Sequence, residues 1–93
     1  MLKRVEYKFY KVKMGQTVAQ IADYFCISPR VLVKENGLQG EPHTGQILRI
    51  PPLKGNAYTV REGDDKALLC GSEERFEALN GTTVFYIGMC VRI

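Results

Sequence analysis

The chain has 93 residues, of which 45% are hydrophobic and 25% charged, the balance of a globular chain rather than a disordered one. Its length gives room for one modest core or two very small ones, and excludes an enzyme built from separate cofactor and substrate domains. Thirteen basic against ten acidic side chains give a net charge of +3, too little to mark a nucleic-acid binder.

The charge is unevenly spread. Residues 1–54 carry nine basic and four acidic side chains, whereas residues 55–93 carry four basic and six acidic. No apolar run approaches the roughly 18–20 residues that a membrane span needs. The start, Met1-Leu2-Lys3-Arg4-Val5-Glu6, is basic but lacks the apolar stretch of a secretory signal. The expectation is a cytoplasmic protein, a piece of a larger one, or an unusual export substrate. Cys26, Cys70 and Cys90 form no CxxC pair, so they read as buried reduced thiols, with a Cys26–Cys70 bridge as the alternative.

Phe9 to Val12 reads as a short strand ending at Gly15. Thr17-Val18-Ala19-Gln20 fits a capping box, and Val18, Ile21, Ala22 and Phe25 then recur at helical spacing. Ser28-Pro29 starts a second helix, because serine caps well and proline at the first helical position forfeits an amide that would have no partner anyway. Asn36-Gly37 ends that helix, and Gln46 to Ile50 predicts a closing strand before Pro51-Pro52.

The same order then returns. Tyr10-Lys11-Val12-Lys13-Met14-Gly15 recurs as Tyr58-Thr59-Val60-Arg61-Glu62-Gly63 at an offset of 48, and Asn36-Gly37 as Asn80-Gly81 at an offset of 44. Gly45-Gln46-Ile47-Leu48-Arg49-Ile50 recurs as Gly88-Met89-Cys90-Val91-Arg92-Ile93 at an offset of 43. In the second copy Asp64 or Asp65 caps a short helix carrying Leu68 and Leu69. Ser72 caps the next, with Glu73 and Glu74 in its first turn and Phe76 and Leu79 on its apolar face. Val84 to Ile93 supplies the last strand or two. The fold class is therefore α+β, two tandem βααβ modules, each with two helices packed on a two-stranded antiparallel sheet. Their bounds are 8–52 and 57–93, with 53–56 as linker.

The run Tyr10, Val12, Gly15-Gln16-Thr17-Val18, Ile21-Ala22, Phe25, Leu32, Asn36-Gly37, Gly45, Leu48, Ile50-Pro51 resembles the LysM domain. The second copy is similar but degenerate, with Asp65 at the family's threonine position and a shortened stretch between the helices. The resemblance implies a non-catalytic carbohydrate-binding protein that recognises N-acetylglucosamine-containing glycans such as peptidoglycan or chitin, for attachment to a cell wall or spore surface. It implies a groove between the loop after the first strand and the loop after the second helix, formed by Gly15, Gln16, Thr17, Val18, Gly37, Leu38, Gln39, Gly40 and Ile47. The corresponding positions in the second copy are Gly63, Asp64, Asp65, Gly81 and Thr82.

The chemistry suits that ligand. An N-acetyl group has one amide donor, one acceptor and a methyl, which match exposed loop backbone beside an aliphatic patch; Val18, Leu38 or Ile47 would meet the methyl. No cofactor, membrane insertion or nucleic acid is expected as partner, while a protein partner in an envelope or spore assembly remains open. The alternative reading is an assembly module that keeps the fold without a working sugar groove. His43 is the sole histidine and reads as a loop residue, Ser28 and Ser72 read as caps, and the acid pairs Asp64-Asp65 and Glu73-Glu74 read as helix-start chemistry rather than glycosidase carboxylates. Lys3, Arg4, Lys8, Lys11 and Lys13, interleaved with Tyr7, Phe9 and Tyr10, read as a strand with one solvated and one buried face.

Overall fold

A computed structural model describes residues 8–93. Within that range the chain runs β1 (Lys8–Lys11), α1 (Val18–Phe25), α2 (Pro29–Asn36), β2 (Ile47–Ile50), β3 (Ala57–Thr59), α3 (Lys66–Cys70), α4 (Glu73–Asn80) and β4 (Cys90–Arg92). Strands β1 and β2 pair antiparallel with Tyr10 opposite Leu48, and β3 and β4 pair antiparallel with Tyr58 opposite Val91. These are the partners that the internal repeat aligns. The chain is thus two βααβ units in succession, as the spacing predicts.

Local chemistry sets the helix ends. The Thr17 hydroxyl accepts from the Gln20 amide at 3.2 Å while Gln20 Oε1 accepts from the Thr17 amide at 3.0 Å, a complete capping box. Ser28 and Ser72 cap α2 and α4, and of the two aspartates before α3 it is Asp65 that caps, accepting from the Leu68 amide at 2.7 Å. Asp64 has another task, described below.

Each unit has its own core. Val12, Val18, Ile21, Ala22, Leu32, Leu48 and Ile50 form the first, with Tyr10, Phe25 and Leu53 packed against it. Val60, Phe76 and Val91 form the second, with Tyr58, Leu69, Phe85 and Met89 around them. The second core is the smaller, and Leu79 lies outside it, turned with Ala78 toward the junction with the first unit. Two asparagines tie helix to strand. Asn36 Nδ2 donates to the Leu32 and Arg49 carbonyls and its Oδ1 accepts from the Arg49 amide at 2.7 Å. Asn80 does the same with Phe76 and Arg92, accepting from the Arg92 amide at 2.8 Å.

Three expectations change. Cys26 and Cys90 are joined by a disulfide and Cys70 is the free thiol, so neither three reduced thiols nor a Cys26–Cys70 bridge describes the chain. A bridge between residues 64 apart is set by how the units meet, which local sequence does not encode. The apolar run Val84 to Ile87 is loop rather than strand: Phe85 drops onto Phe76 with ring centroids 5.2 Å apart, while Val84, Tyr86 and Ile87 are exposed. Phe9 is 69% exposed, because the helices cover only one face of the two-stranded sheet and Phe9 shares the other with Lys11. Lys3, Arg4 and Tyr7 lie outside the described residues.

At the junction, the Arg92 guanidinium donates to the Phe25 carbonyl at 2.6 Å and to the Cys26 carbonyl at 3.2 Å. A cation from the second unit thus satisfies carbonyls left unpaired at the end of α1, where the helix dipole favours positive charge.

Candidate glycan-binding groove

The turn after β1 is built from within. Gln16 Oε1 accepts from the Tyr10 hydroxyl at 2.8 Å and from the Lys13 amide at 2.9 Å, which folds Lys13 to Gln16 into a tight turn around Gly15 at φ +75°. The side chains of Gln16 and Thr17 are therefore committed to turn and cap. Val18 is 7% exposed and belongs to the core, so only its backbone is presented outward.

The second loop follows α2. Gly37, Leu38, Gln39 and Gly40 line a shallow cavity of about 460 Å³ together with Asn36, Glu41, His43 and Gln46. Leu38 leans on the first core and anchors the loop, while Gln46 Oε1 accepts from the His43 amide at 2.9 Å and closes its far end. The start of α1 is tied to this loop where the Val18 amide donates to Glu41 Oε1 at 3.3 Å. Ile47 is 57% exposed but does not line the cavity.

Of the residues read from the sequence for the first unit, the structure brings Gly37, Leu38, Gln39 and Gly40 together around one hollow. Gly15, Gln16 and Thr17 shape the neighbouring turn, and Val18 joins through its amide. Asn36, Glu41, His43 and Gln46 are the additions. Their position in or beside the loop was legible, but their convergence depends on how the loop folds back.

The second unit departs from this plan. Asp64 takes the role of Gln16, accepting from the Tyr58 hydroxyl at 2.7 Å and the Arg61 amide at 2.8 Å. Those bonds hold its carboxyl below the usual carboxylate range, the Arg61 amide contributing most and Tyr58 next, and the same contact raises the Tyr58 phenol. Lys66 then stands where Val18 stands in the first unit. Its ammonium crosses between the two loops, donating to Glu77 Oε2 at 2.6 Å and to the Thr83 carbonyl at 2.7 Å, 5.7 Å from the Phe76 ring centroid. The candidate residues are divided by this tie. Asp65 lines a hollow with Phe85, whereas Gly81 and Thr82 line another that faces Arg30, Val31 and Lys34 of the first unit. Gly63 sits exposed in the turn before Asp64.

Among the described residues, no three His, Cys, Asp or Glu side chains gather as a metal site, and no helix is long and apolar enough to cross a membrane. The βααβ order, the capping box of α1 and the Asn36 tie all fall in a segment whose sequence matches the model of the LysM domain at residues 10–51. Residues 10–51 form a LysM domain. LysM domains are binding modules rather than catalysts, and they take N-acetylglucosamine-containing glycans such as peptidoglycan or chitin. No curated protein matches the chain. Among solved structures, the chain is similar to the Bacillus cereus spore cortex-lytic enzyme SleL, at 23% identity and a TM-score of 0.47 over 94% of this chain. The match spans 22% of that enzyme's chain.

Proposed function

We propose that the LysM domain of this chain binds an N-acetylglucosamine-containing glycan in the hollow bounded by Gly37 to Glu41, and so holds the chain, or a partner joined to it, on a bacterial cell wall or spore surface. The observation that carries the reading is the Gly37–Gly40 backbone exposed along a cavity of about 460 Å³ beside the start of α1. Such a wall suits an acetamido group, which asks for one backbone donor, one acceptor and room for a methyl. We take 8–52 and 57–93 as the two modules, the second a degenerate copy, with 53–56 between them.

A second reading applies to the second unit. With Lys66 lying across its two loops, that unit serves better as a packing or protein-interaction module than as a sugar site. Co-sedimentation with insoluble chitin and with purified peptidoglycan tests the proposal. Gly40 is open to solvent, with no atom within 4 Å of where a β-carbon would stand and no positive φ, so Gly40→Tyr fills the hollow without straining the backbone. Binding should fall at least about tenfold, which a loss of about 1.4 kcal/mol would produce. Equal retention of the Gly40→Tyr variant on both polymers, or no retention of the parent chain, contradicts the reading.

A further inference from the structure

We propose that the Cys26–Cys90 disulfide is a redox-controlled clamp, which fixes the two units as one rigid body when oxidised and lets them hinge at Lys54 and Gly55, between Leu53 on the first core and Asn56 paired with Ile93, when reduced. The strongest packing of every element lies within its own unit, where sheet pairs with sheet and helix with helix. The two cores share no buried member. Across the junction the structure has the disulfide, the two hydrogen bonds from Arg92, and an approach of Gly81 to Val31 so close that a β-carbon on Gly81 would lie 2.5 Å from Val31 Cγ2. Units whose elements pack chiefly within themselves move relative to one another by default, unless a large apolar interface or a covalent tie holds them.

The backbone at Cys26 points the same way. It ends α1 in the left-handed region, at φ 54°, and is the only described residue other than glycine with positive φ. The end of α3 in the second unit uses Gly71 for this turn, at no steric cost. A cysteine held in that conformation earns its place through its side chain.

The bond is also approachable from one side. Cys26 is 5% exposed, but Cys90 is half-buried and lines a crevice of about 110 Å³ between the units, with Asp23, Ser28, Tyr86 and Met89 among its other walls. A dithiol reductant would attack there: its thiolate bonds to the Cys90 sulfur, the sulfur–sulfur bond breaks, and Cys26 leaves as a thiolate that takes up a proton. The reductant's second thiol then displaces Cys90 from the mixed disulfide. The two electrons come from the dithiol, which ends as its own disulfide.

Residual dipolar couplings of the full chain, measured before and after dithiothreitol, test the clamp. The oxidised chain should fit one alignment tensor across both units. After reduction, confirmed by a gain of two hydrogens in mass, the common fit should be lost and each unit should fit its own tensor with its amide dispersion kept. Cys26→Ser should behave as the reduced chain does, and oxidised Arg92→Ala should keep the single tensor. A reduced chain that still fits one tensor overturns the proposal. So does loss of dispersion in the second unit on reduction, which would make the bond a fold staple, and so does an Arg92→Ala chain that separates while oxidised.

Discussion

The Tyr58 hydroxyl donates to the Asp64 carboxylate at 2.7 Å, and the same bond in the first unit runs from Tyr10 to the neutral amide oxygen of Gln16 at 2.8 Å. One turn is thus built twice from two chemistries, of which only the second has an acceptor that can be titrated. Asp64 has its carboxyl lowered by the Arg61 amide and by Tyr58, so the folded state favours the ionised form. Its stabilisation is complete above the unfolded carboxylate value and is lost as pH falls through the depressed folded value. Tyr58 is raised by its bond to Asp64, so its stabilisation holds below the ordinary phenol value and is lost as pH rises through the raised one. In an acid titration the Arg61 amide resonance should move as Asp64 gains its proton. The Lys13 amide should stay put, and Asp64→Asn should abolish the Arg61 response.

Asn80 is 7% exposed and holds α4 to β4 through two hydrogen bonds with Arg92, while a third, to the Phe76 carbonyl, stays within α4. Asn80→Ala would leave the Arg92 amide without its acceptor, at a cost of about 2–3 kcal/mol. Asn36→Ala removes the same set at a more exposed place and should cost about 1–2 kcal/mol. Urea unfolding followed by unit-specific amide signals would show whether the order holds.

The separate cores predict separate failures. Phe76 is fully buried and is the largest member of a three-residue core, so Phe76→Ala should cost the second unit about 3–5 kcal/mol. Because no member of that core belongs to the first, amide signals of Ile21, Leu32 and Leu48 should persist while those of Val60 and Val91 collapse. Simultaneous loss of both sets would show that the units fold as one.

Much of this was legible in the chain because it is local. The Thr17–Gln20 capping box, the Ser28-Pro29 start and the Asn-Gly helix ends are each written within four residues, and the preserved order of landmarks announced two copies of one fold. What escaped depends on distance. The Cys26–Cys90 bridge joins residues 64 apart, and the meeting of Val18 with Glu41 spans 23. Val84 to Ile87 has strand composition, but β3 is only three residues long and is already paired to Cys90–Arg92. The motif residues at the groove certified the fold before the ligand, since Gln16, Thr17 and Asn36 are all occupied by hydrogen bonds within the domain.

Whether the LysM domain takes its glycan on the Gly37–Glu41 loop beside the start of α1 is decided most directly by backbone amide shifts. These would be followed in the full chain during titration with chito-oligosaccharides to millimolar concentration. Saturable shifts are expected at Gly37, Leu38, Gln39, Gly40 and Glu41, with a smaller response at Val18, whose amide donates to Glu41 in the free chain. Lys66 and Thr83 should stay unmoved. A titration that leaves the Gly37–Glu41 amides in place, or moves only those of the second unit, would contradict glycan binding at this loop.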